Sequence, residues 1–345
     1  MTGPQLAIVA TGVLAAPCFW LALNLMRRSV RIDSGAALHT RDLLELKGRI
    51  ASAVESPRLI FFGLSNVMMG VRAEQVGAEL GVRTLNFGLI ANLSPGVAID
   101  ALERILRPGD RVVLALPYWF FHRATALAPQ RAIVRDLVFS TPTRAYFDLP
   151  LRDRMSMLAT QRPSQVLEAV GRGLLERVGH AARWPGPSVL PHLRLAKDGG
   201  AFTEVGDWTG NARSERTCEM LERIRSRPVD TAACRFEPGG EAARCLARLV
   251  RRGRERGVGF CAIWPVAYVG EAADRSAALR APILDDLASF YAELGVPTRG
   301  TPDAFFYPLD AFFDSANHLT REASELYSAQ VAELARGFVD DAAQS

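Results

Sequence analysis

The chain has few cysteines, few histidines and little net charge. Its five cysteines form no C-x-x-C pair and have no histidine at metal-ligand spacing, so the sequence predicts no zinc site and no other metal or organic cofactor. The odd count argues against a complete disulfide framework, and leaves open either ordinary buried thiols or one disulfide among Cys218, Cys234, Cys245 and Cys261. The formal net charge is only +4 and is dispersed along the chain, which excludes a nucleic-acid partner.

Length and composition are those of a folded α/β protein. The chain has 345 residues, of which 49% are hydrophobic and 23% charged, and it contains no low-complexity stretch. This is enough for one large domain, or for one domain that carries an insertion.

The N-terminal part contains a long apolar run. Leu6 to Met26 reads "LAIVATGVLAAPCFWLALNLM", without a charge, and Arg27, Arg28 and Arg31 follow. A helix of this length crosses a bilayer, so we predict a transmembrane anchor at 5–27 and a helical linker at 28–56. A cleaved signal peptide is the alternative, but the positive n-region and a clean cleavage site are missing. The arginines after the span favour a cytoplasmic location for the large domain.

From residue 57 onward, short apolar runs alternate with amphipathic stretches. "RLIFFG", "VRTLNFG", "RVVLALPYWFF" and "GVGFCAIWPV" are predicted strands, and "SPGVAIDALERIL" is a helix with Ser94 as N-cap. This alternation predicts an α/β domain at 57–340 with a three-layer, doubly wound, flavodoxin-like parallel sheet. The alternation lapses at about 122–256, which we interpret as a largely helical insertion. Its "GDWTGN" stretch, residues 206–211, is where we expect substrate specificity to reside.

Few side chains are suited to chemistry at the edge of this sheet. Functional sites lie beyond the carboxyl ends of parallel strands, and Ser65 follows the first strand, in "FFGLSNVMMG". A serine nucleophile needs a base, and the base needs an orienting acceptor. Of the five histidines, only His318 has an acid nearby in a strand-to-helix loop, Asp314 in "FFDSANHLT". His122, after the third strand, is the competing base.

The stretches "FFGLSNVMMG" and "FFDSANHLT" resemble the first and last sequence blocks of the SGNH (GDSL-type) hydrolases. The resemblance covers about 58–118 and 257–335. It implies that Ser65 is the nucleophile, His318 the base and Asp314 its orienting carboxylate. It further implies an oxyanion hole made by the backbone N–H groups of Ser65 and Gly88.

The sequence departs from this family pattern at three places. The usual Gly-Asp-Ser is Gly63-Leu64-Ser65 here, and Asp314 and His318 are separated by three residues where two is the commoner spacing. The third strand also lacks the asparagine that normally completes the oxyanion hole. Asn92, in "GLIANLSPG", is predicted to supply the missing donor, with Asn66 as the second candidate.

Within the superfamily, an anchor followed by the domain is similar to membrane-attached members associated with acylation of bacterial cell-surface polymers. The resemblance therefore implies a serine esterase or O-acyltransferase that acts on an acylated carbohydrate or small ester, on the periplasmic face of the inner membrane. One alternative is a catalytically weak module that binds a polysaccharide or a membrane acyltransferase partner. The other is a cytoplasmic α/β protein in which Ser65 is an ordinary turn residue.

Overall fold

The protein is described from a computed structural model, which covers residues 35–91, 93–122 and 202–340. It divides into two compact units, one of Met1–Leu38 with Arg131–Val189 and one of His39–Gln130 with Leu190–Ser345. Apart from the first residues of α1, the elements below belong to the second unit. The predicted anchor at 5–27 lies outside the described residues. Within the described residues, no helix is long and apolar enough to cross a membrane.

The described strands form one parallel five-stranded sheet, which confirms the predicted α/β class. The strands are β1 (Leu59–Gly63), β2 (Thr84–Gly88), β3 (Arg111–Ala115), β4 (Gly259–Ile263) and β5 (Thr298–Arg299). Their order is β2-β1-β3-β4-β5, which is consistent with a flavodoxin-like fold. The first strands are aligned at their carboxyl ends, where Gly63 pairs with both Gly88 and Ala115.

Helices connect the strands and cover the sheet. They are α1 (Gly35–Ala53), α2 (Ser65–Gly70), α3 (Ala73–Leu80), α4 (Pro95–Ile105), α5 (Cys218–Ser226), α6 (Glu241–Glu255), α7 (Ala272–Ala278), α8 (Pro282–Glu293) and α9 (Arg321–Asp340). The chain moves outward from β1 to β2 and back across β1 to β3. Because such crossovers are right-handed, α3 and α4 lie on opposite faces of the sheet. The packing agrees, since α3 contacts α9 while α4 contacts α6.

Local sequence explains where α4 begins. Ser94 precedes it in an extended conformation, and its Oγ accepts a hydrogen bond from Val97 N at 3.3 Å. Pro95 occupies the first helical position, where no N–H is needed. The predicted N-cap is therefore confirmed.

A buried ion pair fastens the amino-terminal edge of the sheet. Arg58, just before β1, meets Asp110, just before β3, with Nη2 and Oδ2 2.6 Å apart and both side chains fully buried. Arg58 also donates to the carbonyl oxygens of Ala51 and Ile105, at the ends of α1 and α4. One guanidinium thus joins two strands and two helix ends at the edge opposite the predicted site.

The described part of the predicted insertion, residues 202–256, packs as an integral part of this unit. Asn86 N in β2 donates to Val205 O at 2.8 Å, and Phe202 forms an antiparallel bridge with Trp208. Further on, α6 is the helix that leads into β4. The strand-helix alternation therefore resumes before the predicted end of the insertion.

The arginines at the end of α6 bind the ends of neighbouring helices. Arg254 donates to Leu294 O at 2.7 Å and to Gly295 O at 2.8 Å, just beyond α8. Arg256 donates to Leu106 O, just beyond α4. Guanidinium groups at these positions satisfy carbonyls that have no partner within their own helix.

Candidate functional site

Ser65 is the first residue of α2, two residues beyond the end of β1. The turn requires a glycine before it, because a Cβ on Gly63 would lie 2.3 Å from Val67 Cγ2 and 2.6 Å from Ala115 O. Ser65 is only 8% exposed. As the first residue of a helix, its N–H has no acceptor within the helix.

Asn66 fixes this turn from within. Its Oδ1 accepts a hydrogen bond from Leu64 N at 3.1 Å, and its Nδ2 donates to Ala115 O at 2.8 Å. The side-chain amide is thus bonded to the ends of β1 and β3. Asn66, the second candidate for the oxyanion hole, has a structural role in the described conformation.

Gly88, the predicted second backbone donor, lies directly against α2. A Cβ on Gly88 would lie 2.1 Å from Met68 N, so only glycine permits this approach. Its N–H donates to Asn86 Oδ1 at 2.9 Å. In this conformation the N–H is engaged, and a role in the oxyanion hole requires that bond to break. Asn92 lies outside the described residues.

Asp314 and His318 meet in one compact loop between β5 and α9. Phe313 N donates to His318 O at 2.7 Å, and Phe312 bridges to Leu319. This folds the loop so that His318 Nδ1 lies 2.6 Å from Asp314 Oδ1. With Nδ1 bonded to the carboxylate, Nε2 is the ring nitrogen left for a substrate or nucleophile. The competing base, His122, directly follows the 3-10 helix Tyr118–Phe121 beyond β3.

The charge state of this pair follows from its surroundings. Burial alone would raise the pKa of Asp314, but the hydrogen bond and charge of His318, with the charge of Arg223 on α5, outweigh it and lower that pKa. Asp314 therefore stays ionised at neutral pH, as an acceptor for the imidazole must. The His318 side chain is 20% exposed, so solvent reaches the ring.

The structure brings the Ser65 helix and the His318 loop together. Phe313 shares a buried cluster with Met68 and Met69 of α2. Asn211 donates to Met69 O at 2.9 Å and to Leu319 O at 2.8 Å. Among the described residues, however, no hydrogen bond joins Ser65 Oγ to His318. Asn211 thus holds the backbone of α2 to the backbone of the His318 loop, but Ser65 and His318 are not hydrogen-bonded to each other in this conformation.

Sequence reasoning missed the polar network behind this site. Asp207, which is 1% exposed, accepts hydrogen bonds from Ala73 N at 2.8 Å and Glu74 N at 3.0 Å. It therefore caps the first turn of α3 from a distant part of the chain. Asn86 donates to Val67 O, Val71 O and Asp207 Oδ1. The available signal was an asparagine inside the otherwise apolar strand "TLNFG".

Lys47 on α1 completes this network. Its Nζ donates to Asn86 O at 2.9 Å and Gly206 O at 2.6 Å, and lies 4.8 Å from the centre of the Phe202 ring. Burial lowers its pKa to about 7, against the opposing attraction of Asp207. The "GDWTGN" stretch, expected to set specificity, therefore directs these polar groups into the protein and supports the scaffold.

The described cysteines and acidic residues supply no metal site. Cys218 is exposed and Cys234, Cys245 and Cys261 are buried, and all four are free thiols. The disulfide left open by the sequence is thus absent among them. Within the described ranges, no group of three or more histidine, cysteine or acidic residues is arranged to hold a metal ion.

No family model, curated protein or solved structure matches this chain. Its function is therefore inferred from the geometry of its own residues. Of the predicted site, the structure joins Asp314 with His318 and brings their loop to the helix that Ser65 begins.

Proposed function

We propose that the protein is a serine esterase or O-acyltransferase that acts on an acylated glycan or cell-surface polymer. The observation that carries the proposal is the 2.6 Å contact between His318 Nδ1 and Asp314 Oδ1, in a loop fastened to the helix that begins at Ser65. An imidazole oriented by a carboxylate is what a serine nucleophile requires. The resemblance of both stretches to SGNH hydrolases supports the same assignment.

In the proposed reaction, Ser65 Oγ attacks the ester carbonyl while His318 Nε2 takes the hydroxyl proton. Collapse of the tetrahedral intermediate breaks the ester bond, and His318 returns the proton to the leaving alcohol. The acyl group is then transferred from Ser65 to water or to a sugar hydroxyl by the same steps in reverse order. Asp314 holds the imidazole in the required tautomer.

The oxyanion that develops in the transition state needs hydrogen-bond donors. The N–H of Ser65 is one, and each such donor is commonly worth ~3 kcal/mol in the transition state. Gly88 N–H is the second if substrate binding displaces Asn86 Oδ1 from it. A closed nucleophile-base contact and a free Gly88 N–H are thus the two changes that the proposed Michaelis complex requires.

A fluorophosphonate probe tests the proposal, since it reacts with activated serines. We expect labelling at Ser65, no labelling of Ser65→Ala, and strong loss in His318→Ala. Asp314→Asn keeps the size of the side chain but favours the wrong imidazole tautomer, so its labelling rate should fall by roughly 10²–10⁴-fold. Ser52→Ala, on the exposed side of α1, is the matched control and should label as the native chain does.

The second candidate is a catalytically weak module that binds a polysaccharide or a membrane acyltransferase partner. The engaged N–H of Gly88 favours it. A folded native chain that stays unlabelled, under conditions in which a known serine esterase is labelled, would contradict the enzyme and support this candidate.

For localisation, we propose that residues 5–27 anchor the protein in the inner membrane, with the α/β domain on the periplasmic side. The uncharged run of about twenty residues supports the anchor. The side follows from the proposed substrate, because cell-surface polymers are outside the cytoplasm.

A further inference from the structure

We propose that Asn211 is a positioning residue that holds the Ser65 helix and the His318 loop at a fixed separation. This inference rests on the proposed function, since it concerns the same two segments. Asn211 is 142 residues from Met69 and 108 residues from Leu319 along the chain, yet its side chain bonds to both. It makes no hydrogen bond to Ser65, Asp314 or His318, so it acts through the backbone that carries them.

Both hydrogens of the Asn211 amide are used. Nδ2 lies 2.9 Å from Met69 O, near the end of α2, and 2.8 Å from Leu319 O, the residue after His318. These acceptors also fix the orientation of the amide, because a flipped side chain would place Oδ1 against two carbonyl oxygens. A single donor group thus ties the two parts of the site together.

The backbone of Asn211 adds a third tie. Its carbonyl oxygen accepts a hydrogen bond from Arg321 N at 2.8 Å, at the start of α9. The His318 loop is therefore held on its C-terminal side by both the side chain and the main chain of one residue. Asn211 is fully buried, so water does not replace these bonds.

Asn211 is itself immobilised by its neighbours. Arg72, between α2 and α3, donates to Trp208 O and, through Nε, to Ser324 Oγ at 2.9 Å. Its Nη2 lies 3.5 Å from Asn211 Oδ1, the oxygen side of the amide. The tie between the two segments is thus built into a rigid frame, as a precise active site needs.

Asn211→Asp is the sharpest perturbation. It keeps the volume but replaces the double donor with a carboxylate facing two carbonyl oxygens, so the two segments should separate. In the proposed enzyme, the plateau of the fluorophosphonate labelling rate against pH should fall by roughly a hundredfold, because small misplacements cost that much.

Arg107→Met is the matched control, because it removes two side-chain hydrogen bonds between distant segments, to Val54 O at 3.2 Å and Ser52 O at 3.3 Å, at the edge of the sheet opposite the site. Both variants are compared well below their unfolding temperatures. We expect Arg107→Met to label within about twofold of the native chain. Equal labelling plateaus for Asn211→Asp and the native chain would overturn the positioning role and leave the proposed function standing.

Hydrogen exchange gives a readout that does not need catalysis. In Asn211→Asp, amide exchange should speed up in both 65–71 and 312–322, whereas Arg107→Met should leave those two segments unchanged. If the native chain is unlabelled by the probe, the proposed function fails, while this exchange pattern still decides whether Asn211 couples the segments. Unchanged exchange in both segments would overturn the inference by itself.

Discussion

At the scale of single residues, the least expected side chain is Lys47. A lysine is almost never fully buried, yet this one is 0% exposed and bonded to two main-chain carbonyls. The burial of its charge opposes folding, while its hydrogen bonds fasten α1 to β2. Such a residue makes the free energy of unfolding depend on pH.

We predict that Lys47 makes the protein more stable as the pH rises above about 7. Its folded pKa is about 7 and its ordinary value is 10.5, so between these values the unfolded chain keeps a proton that the folded chain has lost. The free energy of unfolding then rises with pH, at most by about 1.4 kcal/mol per unit. Urea unfolding of the native chain and of Lys47→Met, at pH 6, 8 and 9.5, measures the difference. A constant difference across this range would contradict the prediction.

At the scale of elements, the short helix α2 is positioned by close main-chain packing. Its first turn lies against Gly88, where no side chain has room, and its C-terminal carbonyls bond to the side chains of Asn86 and Asn211. A six-residue helix has little stability of its own. Its placement is therefore imposed by the neighbouring strands.

Two glycine-to-alanine substitutions should have opposite effects. Gly88→Ala would set a methyl group 2.1 Å from Met68 N, so we expect a loss of about 1–3 kcal/mol of stability and a displaced Ser65. A Cβ added to Gly48, inside α1, would have nothing within 4 Å, so Gly48→Ala should stabilise by about 0.4–1 kcal/mol. Denaturant midpoints measure both. Similar shifts in the two variants would refute the packing argument.

How far the sequence predicts these elements depends on the kind of residue. The glycine-bounded runs of β1, β2 and β3 identify strands, because both faces of a parallel sheet are buried. The pairing of Asp314 with His318 was also predicted, since the two residues share one loop. The contacts of Asn211 and Lys47 were not, because they join segments 39 to 159 residues apart in sequence and follow no local pattern.

At the scale of the whole molecule, all described catalytic candidates lie at the carboxyl edge of the sheet, while the ion pair of Arg58 with Asp110 lies at the other edge. The ion pair that fastens the strands at one edge is thus separate from the proposed catalytic groups at the other.

The prediction for the whole molecule concerns the side of the membrane on which the α/β domain lies. With the anchor at 5–27 and a periplasmic domain, alkaline phosphatase fused after Ser345 should be active and a fused green fluorescent protein dark. The arginines that follow the span favour a cytoplasmic domain, so the two fusions distinguish a periplasmic from a cytoplasmic location. A fluorescent fusion with inactive phosphatase would place the domain in the cytoplasm and contradict the proposed polymer substrate.

The arginines that cap helices also change how the protein meets other charged molecules. An isoelectric point near 8.9 describes a weakly cationic particle, yet Arg254 and Arg256 direct guanidinium hydrogens toward carbonyl oxygens of their own chain, and Arg252 is paired with Glu103 at 3.1 Å. A hydrogen bond to a neutral carbonyl leaves the charge of a guanidinium in place, so Arg254 and Arg256 keep theirs, whereas the charge of Arg252 is balanced by that of Glu103. An anionic polymer approaching this face therefore meets exposed cationic groups whose positions are already fixed by the protein's own carbonyl oxygens.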